Sequence, residues 1–363
     1  MREMTAAFHP LKEAYSMLPN RRPVFYAILA ALCYGLSAPF SKLLLGGIPP
    51  ALLASLLYLG AVLGMLPFVL LGKKQKEARI AKAELPYVVL MVVLDILAPI
   101  LLMLGLAVTA PATVSLLNNF EIVATAVIAL AVFREAVGKR MWLAILFITL
   151  GSAALSVQDV KTLALSPGAA LVIAACCLWG LENNCTRRLS IKNPLQIVAV
   201  KGIFSGLGSL IVFLLTGRPS VNAAYIPLAL LLGLVSYGLS IYCYILAQRS
   251  LGAARTGAYY AIAPFIGVLL SFLMHGEAPT VSFYIALPLM LLGAYLAVLE
   301  KHSHRHLHEA LTHEHRHSHV DDHHTHTHIP PVSGEHSHEH THEQIIHQHP
   351  HTPDTHHIHT HEG

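Results

Sequence analysis

The sequence predicts an all-α integral membrane protein: ten transmembrane helices arranged as two inverted five-helix repeats, followed by a disordered His-rich tail. Three observations predict it. Of 363 residues, 55% are hydrophobic and only 12% charged, against about 25% charged in ordinary soluble domains. A soluble protein this apolar would need a core larger than its surface allows. The apolar residues gather in ten runs close to the ~20 residues a helix needs to cross hydrocarbon, and the two halves of that region match each other.

Residues 1–23 are mostly polar and form a cytoplasmic N-terminal segment. The first apolar run is long enough to span, so it reads as an anchoring helix and not as a cleaved leader. The first repeat, 24–157, holds runs at 24–45, 51–71, 86–108, 111–133 and 141–157. The second, 167–299, holds runs at 167–185, 195–216, 225–247, 252–274 and 280–299. Alternating ten-residue segments of the outer-membrane barrel type are absent. The cysteines Cys33, Cys176, Cys177, Cys185 and Cys243 lie in or beside apolar runs, which suits small buried side chains better than a disulfide framework.

Lysine and arginine set the expected orientation. One set of connections carries Arg2, Lys12, Arg21 and Arg22, then Lys73, Lys74, Lys76, Arg79 and Lys82. It continues with Arg134, Lys139 and Arg140, with Arg187, Arg188 and Lys192, and with Arg249 and Arg255; the opposite set carries Lys161 and Arg218. Both termini are therefore expected in the cytoplasm of a plasma membrane of the bacterial inner-membrane kind.

The halves align at two offsets. Gly35-Leu36 answers Gly180-Leu181, Lys42 answers Arg187, Pro49 answers Pro194 and Gly72 answers Gly217. Further on, Ala112 answers Ala254, Glu135 answers Glu277 and Gly151 answers Gly293. The change of offset falls in the basic loop around 73–82, where insertions are tolerated. Five spans per repeat is an odd number, so the second half enters the membrane the other way up. Inverted repeats of this kind build secondary transporters with a solute site near the midplane. Two five-helix repeats with a glutamate after each fourth span, Phe-Arg-Glu at 133–135 and His-Gly-Glu at 275–277, resemble the EamA-type transporters of the drug/metabolite transporter superfamily. The resemblance covers about 25–299. It implies a ten-helix inverted-repeat fold and movement of small solutes, often efflux of amino acids, metabolites or drugs. Arg134 stands where that pattern has glycine before the glutamate, and the tail lies outside it.

Charge in the spans marks candidate sites, because a charged side chain at the bilayer centre costs about 2.5–3.5 kcal/mol on insertion scales. Asp95 and Glu121 sit near the middles of the third and fourth spans and are expected around a central cavity, where a carboxyl group could exchange protons and couple transport. Glu182 has two readings, a cavity group or an interhelical pair with Lys201. Asn118, Asn119 and Asn183 are candidates for polar solute contacts or for bonds between helices. Tyr237 answers Asp95 on the equivalent helix and joins the cavity set. Tyr242, Tyr244, Tyr259 and Tyr260 read first as packing. Glu135 and Glu277 fit structural caps on the following helices. Pro39, Pro99 and Pro264 should kink their helices, and Lys42 and Arg187 should snorkel.

Of 25 histidines, all but His9 and His275 lie from His302 onward, within 302–363. The candidate metal ligands are His302, His304, His306, His308, His313, His315, His317, His319, His323, His324, His326, His328, His349, His351, His356, His357, His359 and His361. Imidazole suits Zn, Ni, Co or Cu. Spacing of two offers many similar sites and no fixed geometry, as in a buffer and unlike a catalytic centre. The interleaved Asp, Glu, Thr and Pro distinguish it from a uniform tag, while a pH-sensitive polyelectrolyte is a second reading. No cofactor is required by the membrane part. The expected function is secondary active transport of a small solute, with proton-coupled export as the leading form and a small-molecule substrate, the lipid bilayer and a divalent metal at the tail as partners. A homodimer stays open, and no nucleic acid is expected. The alternatives are a transporter of Ni, Co, Zn or a metal chelate, and a non-transporting metal store or sensor. No nucleophile–base pairing, phosphate loop or redox motif suggests an enzyme.

Overall fold

The computed structural model describes residues 22–71, 82–133, 138–159, 164–189, 193–216, 220–276 and 278–299, with 302–308, 311–317, 336–342 and 345–351 in the tail. Backbone polar groups in lipid must be satisfied within the chain, so apolar runs of this length become helices. In order these are α1 (Arg22–Gly35), α2 (Ser37–Leu44), α3 (Pro50–Leu71), α4 (Leu85–Val108), α5 (Pro111–Leu117), α6 (Phe120–Phe133) and α7 (Lys139–Ser156). After a short antiparallel pair, β1 (Val157–Asp159) and β2 (Ala164–Leu165), come α8 (Pro167–Leu189), α9 (Pro194–Val200), α10 (Gly206–Leu215) and α11 (Ile226–Gly233). The last are α12 (Ser240–Tyr260), α13 (Ala263–His275) and α14 (Val281–Val298). Among the described residues, nine helical stretches are long and apolar enough to span, and Ala263–His275 is a shorter apolar helix.

Helix starts follow local chemistry. Proline occupies the first positions of α4, α5, α9, α11 and α13, where its missing N–H costs nothing. The Asn193 and Thr280 side chains accept from Leu195 N and Phe283 N, as caps do. Gly276 ends α13 at φ 61, a conformation glycine adopts without strain.

Three spans, among the described residues, are broken by non-helical turns. The first breaks at Leu36 between α1 and α2, the fourth at Asn118–Asn119 between α5 and α6, and the ninth at 261–262 before α13. Pro39 lies just past the first break and Pro264 just past the third, while Pro99 stays inside α4. Two π-helical turns, Lys201–Ser205 and Leu234–Leu239, interrupt the seventh and eighth spans. A straight helix would separate Tyr244 and Tyr260 by about 24 Å; their rings lie 5.0 Å apart. The chain therefore bends sharply within α12.

α4 packs on α8, α1 on α12 and α7 on α14, while α3 lies against α10 and α11. Small residues set the spacing. A Cβ at Gly233 would collide with the Leu57 carbonyl, and one at Gly60 with the Leu230 carbonyl. Large apolar side chains such as Leu63, Val89, Leu146 and Leu273 point outward, as a lipid-facing surface requires. Lys42 does not snorkel: its Nζ donates to the carbonyls of Leu106, Ala107 and Thr109 at 2.7, 3.1 and 3.0 Å, closing the end of α4.

In the tail, expected from composition to be disordered, the described residues are four short segments that pair as strands. β3 (His302–His308) pairs antiparallel with β6 (Ile345–His351), and β4 (Leu311–His317) with β5 (His336–His342). The His-x-His spacing has the two-residue period of a strand, so His302, His304 and His306 fall opposite His351, His349 and His347. His308 ends β3, and His313, His315 and His317 lie on β4. His319, His323, His324, His326, His328, His356, His357, His359 and His361 lie outside the described residues, as do Glu135 and Glu277.

Candidate substrate cavity

Gly180 determines how closely α8 meets α6. A Cβ there would lie 2.6 Å from the Ala124 Cβ, so only glycine permits this approach. The closeness lets the next turn of α8 reach across. Asn183 Nδ2 donates to Glu121 Oε1 at 2.7 Å and to Thr125 Oγ1 at 3.3 Å, and Asn184 Nδ2 donates to the Thr125 carbonyl at 3.2 Å.

Lys201 opens the first π-helical turn and is 5% exposed. Its Nζ lies 2.6 Å from Glu182 Oε1 and 3.3 Å from Asp95 Oδ2. Asp95 Oδ1 also accepts from the Tyr58 hydroxyl at 2.8 Å, and Glu182 accepts from the Thr186 hydroxyl on its own helix. One ammonium thus ties the third, sixth and seventh spans together. Of the two readings of Glu182, the interhelical pair with Lys201 is present, and Asp95 belongs to the same group. π-Helical turns recur at functional positions; here they carry Lys201, Ser236 and Tyr237.

These groups line a cavity of about 700 Å³, its open mouth included. One wall is aromatic. Tyr58 meets Tyr237 edge-on at 5.1 Å, Tyr237 lies 6.4 Å from Tyr34, Tyr34 lies 5.6 Å from Tyr260, and Tyr260 lies 5.0 Å from Tyr244. Trp179, Thr186, Ser236, Ile241 and Ile245 complete the lining. The Tyr237 and Ser37 hydroxyls are both buried.

Asp95, Glu121, Glu182, Asn183 and Tyr237 are therefore brought together. Asn118 and Asn119 are not: both are buried at the break in the fourth span, away from the cavity wall. Asn119 Nδ2 donates to the Leu116 carbonyl, and Asn118 Oδ1 faces Cys176 Sγ, so they satisfy backbone and helix contacts. Of the four tyrosines read as packing, Tyr244 and Tyr260 line the cavity, while Tyr259 is exposed. Tyr34, Tyr58 and Trp179 carried no mark as site residues. A signal was present in the repeat, since Tyr34 answers Trp179 beside the paired Gly35 and Gly180. Among the described residues, no group of three His, Cys, Asp or Glu side chains is arranged to hold a metal ion.

The pattern of the EamA-like transporter family matches twice, over residues 21–157 and 166–299. The chain belongs to the EamA-like transporter family. Among the relatives of this EamA protein is an "Uncharacterized transporter" of Methanothermobacter thermautotrophicus, 26% identical over 289 residues, covering 74% of this chain and 84% of the relative. Another is the "Uncharacterized transporter YyaM" of Bacillus subtilis, 23% identical over 219 residues, covering 57% and 71%. A solved structure titled "Crystal structure of protein" shares the fold at a TM-score of 0.57 and 20% identity, over 76% of this chain and 96% of that one. The EamA chain is thus a multi-pass membrane transporter.

Proposed function

We propose that this protein is a secondary active transporter that exports a small organic solute through the tyrosine-walled cavity, coupled to proton uptake and release. The observation that carries it is the carboxyl-rich cavity that Asp95, Glu121, Glu182 and Lys201 line within the apolar spans. With Asp95 held by Lys201 and Tyr58, Glu121 is the carboxyl group free for coupling. Matched packing supports an inverted repeat. Gly151 packs on Met290 and the Ala286 carbonyl, and its counterpart Gly293 packs on Ile148 and the Ala144 carbonyl. Gly35 against Ile266 likewise mirrors Gly180 against Ala124. The resemblance to exporters supports the direction, and the lysine and arginine distribution supports cytoplasmic termini in a bacterial inner membrane.

The tail adds divalent-metal binding, with Zn, Ni, Co or Cu as its ions; the strand period and the opposed histidines of β3 and β6 support this. Metal as the transported species is the weaker reading, because Lys201 already engages the Asp95 and Glu182 oxygens a metal would need.

The test is a growth-resistance screen in an exporter-deficient host, with and without Ni²⁺ or Zn²⁺. Resistance to one solute class is expected, lost in Asp95→Asn and Glu121→Gln; unchanged flux in both variants would reject the cavity reading. Radiolabelled metal uptake into vesicles, with and without residues 302–363, separates metal transport from metal binding.

A further inference from the structure

We infer that the cavity selects a net-cationic organic amine over the corresponding amino acid, with the ammonium seated at Glu121 and the apolar body against the tyrosine wall. The inference rests on the transport reading above and names the solute class for the same cavity.

Charge is the first ground. Three carboxyl groups, Asp95, Glu121 and Glu182, line the cavity with the single ammonium of Lys201. That ammonium is shared between Glu182 at 2.6 Å and Asp95 at 3.3 Å. Glu121 receives only the neutral Asn183 amide and forms no ion pair among the described residues. A cationic solute supplies the missing countercharge. A carboxylate on the solute would add a fourth acid beside an ammonium already occupied twice.

Shape and surface are the second. Tyr34, Tyr244 and Tyr260 line the same cavity as Glu121, and their rings form one continuous wall through contacts of 5.6 and 5.0 Å. Aromatic faces attract ammonium groups and cover apolar carbon at once. They offer little to a hydrated divalent ion, which needs oxygen or imidazole ligands.

Binding to the purified full-length protein in detergent tests this. Trp179 lines the cavity, whereas Trp142 is 49% exposed on α7, so a Trp142→Phe background lets Trp179 fluorescence report occupancy. Three ligands share one skeleton: 2-phenylethylammonium, phenylalanine and neutral 2-phenylethanol. The amine should bind at least about tenfold more tightly than phenylalanine. Glu121→Gln should reduce it to the level of the alcohol, while Glu121→Asp keeps it within a few-fold. Phenylalanine binding as tightly as the amine, or amine binding unaffected by Glu121→Gln, overturns the inference. Flux of the same ligands in proteoliposomes separates the two readings. Phenylalanine carried without the amine overturns the solute class and leaves transport standing. Absence of binding by all three also overturns the class, and the resistance screen then judges transport by itself.

Discussion

Lys201 reaches Glu182 on the preceding span and Asp95 on a span far earlier in the chain, and all three side chains are withdrawn from water. Removing one partner of such a group leaves an uncompensated buried charge, at a cost of about 3–5 kcal/mol. Lys201→Met should therefore lower the thermal unfolding temperature in detergent sharply. Neutralising the acids as well, in Asp95→Asn/Lys201→Met/Glu182→Gln, should recover most of the loss. A Lys201→Met protein that melts like the native one would show that the pairing does not hold the spans together. Tyr58→Phe removes a hydrogen bond to the Asp95 carboxylate and should cost about 2 kcal/mol in the same measurement. At this scale the sequence marked Asp95, Glu121, Glu182 and Lys201 because charge inside an apolar run is conspicuous. It left Tyr34 and Tyr58 unmarked, since tyrosine in a span looks the same whether it packs or lines a cavity.

Helices in this bundle approach through glycine, and two of them turn π-helical where they line the cavity. α3 and α11 touch backbone to backbone at Gly60 and Gly233. Gly233→Val must push the two helices apart, which costs about 1–3 kcal/mol by overpacking. Gly276→Ala, where nothing lies within 4 Å but φ is 61, meets only backbone strain and should cost about 1 kcal/mol. Comparing the two melting temperatures checks the ranking. Apolar runs and their bounding prolines made the spans legible. The breaks at Leu36 and Asn118–Asn119 and the two π-helical turns were not, because hydropathy does not register a change in hydrogen-bond pattern within a run.

For the molecule as a whole, the membrane bundle and the tail differ in composition, one apolar and one rich in histidine. The bundle's hydrophobic core is assembled from the membrane-spanning helices. Ending the chain after Leu299 should therefore leave solute flux and melting temperature nearly unchanged, while Ni²⁺ binding measured by calorimetry falls away. Loss of flux in the shortened protein would mean that the tail acts on transport directly. Reporter fusions at the ends of the two repeats should give opposite orientations for equivalent positions, as an inverted repeat demands.

The sequence by itself determined the membrane class, the ten runs, the twofold pattern and the histidine tail, because each depends on composition and spacing along the chain. Only the tertiary structure decided which polar side chains meet. Asp95 and Glu182 share Lys201, Glu121 is left to Asn183, and Asn118 and Asn119 turn to the helix break. The reason is geometric: a hydrogen bond acts over about 3 Å, and which atoms come that close depends on helix rotation, glycine contacts and local unwinding that no single run encodes.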